Sequence, residues 1–213
     1  MCIYKGLNKN NTALVVIDPI NSCAHEKCEI PEWDIHFSKI RKMLPRLNRF
    51  IKEYRKKIGG LVMITTTSPW TRDYLPENLQ ELYKDPHATY YSDNSSGFEE
   101  EFNSVEIAKK DFIIAKNTYD AFTNSEFANK LIENKIKYIV ITGIFTDGCV
   151  LSTVINGFSR GYNFVILKDL VETTDLKIRQ NLQKLLIDFT FPKMYGVTTS
   201  SSEFLKEMLK KNS

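Results

Sequence analysis

The sequence is poor in the features that would place it quickly in a specialised class. Its 213 residues hold four cysteines, nine glycines, seven prolines and two tryptophans. Cys2, Cys23, Cys28 and Cys149 are too few, and too irregularly spaced, for a disulfide framework, and a chain of this length buries a core without covalent staples. No run approaches the ~18 consecutive apolar residues of a membrane-spanning helix, so no membrane partner is expected. The opening MCIYKGLNKNNTAL lacks the apolar stretch of a secretory signal, and a cytoplasmic, reducing location is the default expectation. Charge of neither sign dominates. The 29 Lys and Arg against 26 Asp and Glu leave +3, too little to argue for nucleic acid. The densest basic stretch, Arg41 to Lys57, has eight Lys or Arg and one acid, spaced around the polar face of a helix, and reads as a solvated surface. Repeats, low-complexity tracts and dividing linkers are missing as well, so residues 1–213 read as a single domain.

What is present is an ordinary globular composition, 42% apolar and 26% charged, organised as apolar runs alternating with helical patterns. The runs Ala13–Asp18, Leu61–Thr66, Phe112–Lys116, Tyr138–Thr142, Asn163–Leu167 and Met194–Thr198 read as buried parallel strands. Between them, helices are expected over about Ile35–Lys57 (started or kinked by Pro45 and ended by Gly59 and Gly60), Ser125–Asn134, Cys149–Arg160, Leu176–Phe189 and Ser202–Lys211. The stretch from Thr67 to Asp111 is long and weakly periodic, with a short helix expected near Leu79–Tyr83 and a polar turn at Ser92–Gly97. Loops of that length in compact domains are often functional. Strands alternating with helices give a doubly wound α/β domain.

Three of the runs end on reactive residue types. Ala13–Ile17 runs into Asp18, Phe112–Ala115 into Lys116, and Tyr138–Gly143 leads through a short turn to Cys149. Ligands in an open parallel sheet bind beyond the carboxyl ends of its strands. One topological rule therefore gathers a carboxylate, an ammonium and a thiol at one rim: a nucleophile, a base beside it and a cation between them. Each has an ordinary alternative: Asp18 as a turn cap, Lys116 as a snorkelling surface lysine, Cys149 as a small buried hydrophobe. The segment Thr142-Gly143-Ile144-Phe145-Thr146-Asp147-Gly148-Cys149-Val150 weighs against the last. A strand turns abruptly and a helix is expected to start at the cysteine, capped by Asp147 or Thr146. Free N–H groups and the helix dipole would then favour thiolate and hold an oxyanion.

Asp18 in ALVVIDPINS, Lys116 in IIAKNTYDAF and Cys149 in VITGIFTDGCVLSTVINGFSRGY together resemble the isochorismatase-like cysteine hydrolases, over about Thr12 to Thr199. The superfamily includes nicotinamidases, N-carbamoylsarcosine amidases, ureidoacrylate and maleamate amidohydrolases, and isochorismatases. The resemblance implies a three-layer α/β/α, Rossmann-like fold with a six-stranded parallel sheet and a homodimeric or homotetrameric assembly. It implies Cys149 as nucleophile, Asp18 as its proton acceptor and Lys116 as the residue that holds both. A cis peptide between Ile144 and Phe145 is implied too, with an oxyanion hole from the N–H groups of Phe145 and Cys149. The implied chemistry is hydrolysis of a C–N bond in a small amide, carbamoyl or ureido substrate through a thioester, with no cofactor.

Departures from the family pattern matter. Nicotinamidases carry one Asp and two His soon after the second strand. Here Asp73 remains, but Leu75 and Leu79 stand at the histidine positions and offer a metal nothing. Ile20 occupies a position where glutamine is common, so pocket polarity differs. No metal is therefore expected. A nicotinamidase-like enzyme with a differently built metal site and a catalytically silent binding protein are the competing readings.

Trp70, Tyr119, Phe122 and Phe145 are candidate walls of an aromatic pocket, with core packing the stronger reading for Phe122. Arg72 is a candidate for a substrate carboxylate or a plain surface arginine. Cys23, His25 and Cys28, with His36 as a weak fourth, make a conceivable metal or oxidation-sensitive site; a plain loop near the site's mouth is the simpler expectation.

Overall fold

A computed structural model describes residues 4–83 and 96–212. Cys2 and positions 92–95 of the expected polar turn lie outside the described residues. The strands are β1 (Thr12–Ile17), β2 (Leu61–Thr66), β3 (Phe112–Ala115), β4 (Tyr138–Ile144), β5 (Asn163–Glu172) and β6 (Gly196–Thr199). They form one six-stranded sheet in the order β3-β2-β1-β4-β5-β6 with every pairing parallel. The strand order reverses between β1 and β4, and that switch point is where an open parallel sheet leaves a crevice.

Helices cover both faces, so the central strands are buried on both sides. Every residue of β1 is buried, which explains why that run is continuously apolar rather than alternating. Leu14 and Val16 point to one layer, with α1 (Ser38–Lys57) and α6 (Ser201–Asn212). Ala13, Val15 and Ile17 point to the other, with α3 (Ser125–Glu133), α4 (Leu151–Ser159) and a π-helical stretch, Leu186–Tyr195. Two short elements complete the set: α2 (Glu77–Leu82), and α5 (Lys177–Leu185) leading into that π-helical stretch.

The helix α1 shows which force wins locally. Pro45 lies inside it, and an interior proline costs about 3 kcal/mol. Against that stand seven buried side chains (Ile40, Met43, Leu44, Leu47, Phe50, Ile51 and Tyr54) at helical spacing, each worth about 1.5–3 kcal/mol on burial. Its first turn has no cap of its own. The Asp175 carboxylate, distant in sequence, accepts from the Ser38 and Lys39 N–H groups at 3.0 Å each, so a loop beyond β5 holds the free N–H groups at the start of α1.

Element boundaries differ from the sequence expectation at informative places. The strand β5 runs to Glu172 instead of ending at Leu167, and its pairing with β4 shifts register between Ile141 and Gly143. The expected helix to Phe189 gives way after Leu185 to the π-helical stretch that contains Pro192, so β6 begins only at Gly196. The outer side of this region leaves Ile178, Leu182, Leu185 and Phe189 exposed. No described helix is long and apolar enough to cross a membrane.

Two contacts near the switch point generate predictions. Gly143 has φ +106°, and a Cβ there would stand 2.1 Å from the Ile17 carbonyl oxygen. Gly143→Ala is therefore expected to cost about 2–4 kcal/mol, read as a lower urea midpoint with unchanged m-value. The loop after β1 is fastened by Glu29, which accepts from the Phe37 N–H at 2.9 Å and from Arg41 Nη1 at 2.6 Å and pairs with His36 at 2.9 Å. Burial alone would raise the Glu29 carboxyl, but these hydrogen bonds and the Arg41 charge bring it down to about 2. A depressed carboxyl stabilises the fold fully above its ordinary value of 4.5 and stops doing so as pH falls through about 2. Urea midpoints measured across that interval are expected to fall less steeply for Glu29→Gln than for the unaltered protein.

Candidate active site

The site is assembled from strand ends. The chain leaves β1 at Asp18, whose φ of 71° is left-handed, an uncommon conformation for a residue with a Cβ. The turn is closed at once by the Ile20 N–H donating to the Asp18 carbonyl at 2.8 Å. Asp18 is 3% exposed and Lys116 is 2% exposed, so both charges are removed from water. Lys116 follows β3, two strands away from β1, a gap of about 10 Å at ~4.8 Å per strand. The long lysine stem crosses it, and Nζ lies 2.7 Å from Asp18 Oδ2.

Burying such a pair is favourable only if the remaining hydrogen-bonding capacity is met. Lys116 Nζ has three donors and three partners: Asp18, the Thr118 carbonyl at 3.0 Å and Cys149 Sγ at 3.5 Å. The other Asp18 oxygen accepts from Thr65 Oγ1 at 2.7 Å. Burial alone would lower the Lys116 ammonium, but Asp18, and with it Cys149, more than reverses this, and its pKa is raised.

Cys149 arrives from the far side of β1. The peptide Ile144–Phe145 at the end of β4 is cis. A π-type turn, Thr146–Val150, follows, and α4 begins at Leu151, two residues later than expected. The expected caps are not formed by Thr146 or Asp147. Thr146 Oγ1 donates to Gln183 at 2.6 Å. The Asp147 carboxylate is gripped by the Arg179 fork at 2.7 and 2.8 Å and by Thr173 Oγ1 at 2.5 Å; a charge-assisted bidentate pair outcompetes a neutral N–H cap. Burial alone would raise the Asp147 carboxyl, and these partners hold it below the ordinary value instead.

The helix start is one of several influences on the thiol. Burial pushes the Cys149 thiol up to about 12; the nearby Lys116 charge draws it down, while Asp18 pushes it up through its charge and its hydrogen bond to the thiol. Attack by this thiol calls for a base, and the Asp18 carboxylate lies beside it.

A cavity of about 410 Å³ opens over these groups. Of the sequence-derived candidates, Asp18, Lys116, Cys149, Trp70, Tyr119 and Phe145 all line it. Arg72 is not part of that lining; it lies in a short 3₁₀ turn, Arg72–Tyr74. Phe122 is buried against Phe127 as a core residue. Leu75 and Leu79 are buried in the layer with α1. Cys23, a buried free thiol, faces the cavity, whereas Cys28 borders a separate shallow cleft and His36 is taken by Glu29. Among the described residues no three His, Cys, Asp or Glu side chains gather as metal ligands would.

Sequence reasoning missed Trp33, Tyr83, Thr174 and the Asp147–Arg179 pair, all of which line the cavity. The hydroxyl of Tyr83 meets that of Tyr119 at 3.0 Å. Arg179 also stacks over Phe145 at 4.8 Å. It sits in an amphipathic helix where an arginine reads as solvent-facing, and only the tertiary fold reveals its partner.

Comparison with known proteins agrees with this architecture. The isochorismatase family protein YddQ of Bacillus subtilis (strain 168) is 27% identical over 105 residues, 49% of this chain and 58% of that protein, so the match spans little more than half of that relative's length. The ureidoacrylate amidohydrolase RutB of Pantoea ananatis (strain LMG 20103) is 23% identical over 212 residues, covering 93% of this chain and 82% of that one. Among solved structures, a cysteine hydrolase from Pseudomonas syringae pv. phaseolicola 1448A shares the fold with a TM-score of 0.81 at 16% identity, over 98% of this chain and 97% of the other. The isochorismatase domain model matches residues 12–202, and the chain belongs to the isochorismatase family of hydrolases.

Proposed function

We propose that the protein is a cysteine hydrolase that cleaves the C–N bond of a small amide, carbamoyl or ureido compound through a thioester at Cys149. The observation that carries this reading is the contact of Lys116 Nζ with Asp18 at 2.7 Å and with Cys149 at 3.5 Å, beneath a cavity large enough for a small substrate. The resemblance of the surrounding segments to amidohydrolases such as RutB supports the C–N assignment.

The geometry suits the following sequence. Cys149 Sγ attacks the substrate carbonyl carbon while its proton passes to the Asp18 carboxylate. The carbonyl electrons move onto oxygen, held by the N–H groups of Phe145 and Cys149. The C–N bond then breaks, and the leaving nitrogen takes the proton from Asp18, giving a thioester and ammonia or an amine. A water molecule gives its proton to Asp18 as its oxygen attacks the thioester carbon, and Cys149 leaves and recovers the proton. Lys116 stays charged throughout. It pairs with the Asp18 carboxylate in a dry site and favours the thiolate that forms during attack.

Ammonia release from a panel of uncharged amides and ureido compounds tests the activity. Cys149→Ala is expected to reduce turnover by ~10⁴-fold or more, and Asp18→Asn by ~10²–10⁴-fold through loss of the base. The two effects separate in the thiol's own titration, followed by thiolate absorbance near 240 nm. Asp18 raises the Cys149 pKa, so Asp18→Asn is expected to lower it from about 12 even as turnover disappears. If no compound releases ammonia and Cys149 titrates like an exposed thiol near ~8.5, the protein is a silent binding member of the family instead.

A further inference from the structure

The charges around the cavity cancel in pairs. Among the described residues its ionised lining consists of Asp18 with Lys116 and Asp147 with Arg179. Each cation already faces a carboxylate of the protein. The three donors of Lys116 already meet Asp18, Thr118 and Cys149. Arg179 turns its Nε/Nη2 edge to Asp147 and stacks over Phe145. An anionic ligand would therefore enter a site whose two cations are each already offset by a carboxylate, and it would lose its water besides.

What the wall does offer is flat and uncharged. Trp33, Trp70, Tyr83, Tyr119 and Phe145 converge on the cavity from five separate stretches of chain. Thr174 is also in the lining, and its Oγ1 is buried with no hydrogen-bond partner among the described residues. A hydroxyl can donate to a carbonyl or accept from an amide N–H, and one left unpaired in a folded protein calls for a partner.

Building on the hydrolase reading, we propose that the cavity selects an uncharged, planar amide and excludes ligands bearing a carboxylate, and that Asp147 sets this preference by occupying Arg179. The chain would then part company with the RutB relative, whose named substrate, ureidoacrylate, is a carboxylate. Asp147 is here a specificity-determining residue that acts through Arg179 and takes no part in bond breaking.

The test is a binding measurement with a nearly isosteric pair, terephthalamide (uncharged) and 4-carbamoylbenzoate (anionic), titrated calorimetrically into the full chain carrying Cys149→Ala. Removing the nucleophile separates selection from catalysis, so an enzyme that fails to release ammonia leaves this result readable. Terephthalamide is expected to bind at least ~10-fold more tightly, the order of discrimination that an unmatched buried charge gives. Adding Asp147→Asn, which keeps the side chain's shape, is expected to shrink that ratio at least ~5-fold, because one negative charge is gone and the Arg179 charge is no longer offset by it. Thr174→Val is expected to weaken terephthalamide several-fold while sparing the ratio. Equal or tighter binding of 4-carbamoylbenzoate with Asp147 intact, or binding of neither probe, overturns the proposal. A ratio unmoved by Asp147→Asn overturns the role given to Asp147.

Discussion

A buried ion pair, Asp18 with Lys116, is the constraint around which the molecule is arranged. Two charges at 2–3% exposure are tolerable only as long as they face each other with their other lone pairs and protons satisfied. That requirement fixes the order of the sheet's centre. β2 must lie between the two charges to supply Thr65, and β4 must lie on the other side of β1 to deliver Cys149 to the same ammonium. The close approach of Gly143 to Ile17 belongs to the same arrangement, because it lets the end of β4 nestle against the residue that precedes Asp18. Scaffold and chemistry are in this sense one set of contacts.

Around this centre the protein uses loops as walls, and among the described residues several are tied to a helix or to one another. The loop after β1, which brings Trp33, is held through Glu29 to Arg41 on α1. The segment beyond Ser96 returns to the same loop, where the Asn21 N–H donates to the Glu101 carbonyl at 2.9 Å and the Asn103 N–H to the Pro19 carbonyl at 2.8 Å. Asp175, next to Thr174, holds the start of α1. Loops so fastened behave as fixed surfaces, which is what a binding cavity needs from them.

Much of this was legible in the sequence, and the physical reasons are specific. Continuous Val/Ile runs signal strands buried on both faces, and the rule that sites lie at carboxyl ends turned three separate residues into one rim. The cis peptide at Ile144–Phe145 came from family resemblance, since nothing in propensity or spacing indicates it. What escaped notice were interactions made by residues with an adequate local explanation. Arg179 looks like a helix's solvated charge, Asp147 like a cap, and Thr65 like an ordinary β-former. Each takes its role from a partner remote in sequence, at separations that periodicity does not sense. For Arg72 the sequence leaves a substrate carboxylate and a plain surface position equally open, and the 3₁₀ turn sets it outside the lining. Local helix polarity favours the thiolate, whereas burial and the Asp18 charge act the other way, and only the fold brings these to the thiol.

The strand order carries one more consequence. Positions 18, 116 and 149 share no stretch of backbone and meet only because β3, β2, β1 and β4 lie side by side in register. Parallel pairings of this kind join distant parts of the chain through crossovers, so no local hairpin or helix pair contains any two of the three groups. Partial structure then has no partial competence. A fragment, a slipped register or a frayed central strand scatters the acid, the cation and the thiol at once, which makes the reacting centre a gauge of the sheet's integrity.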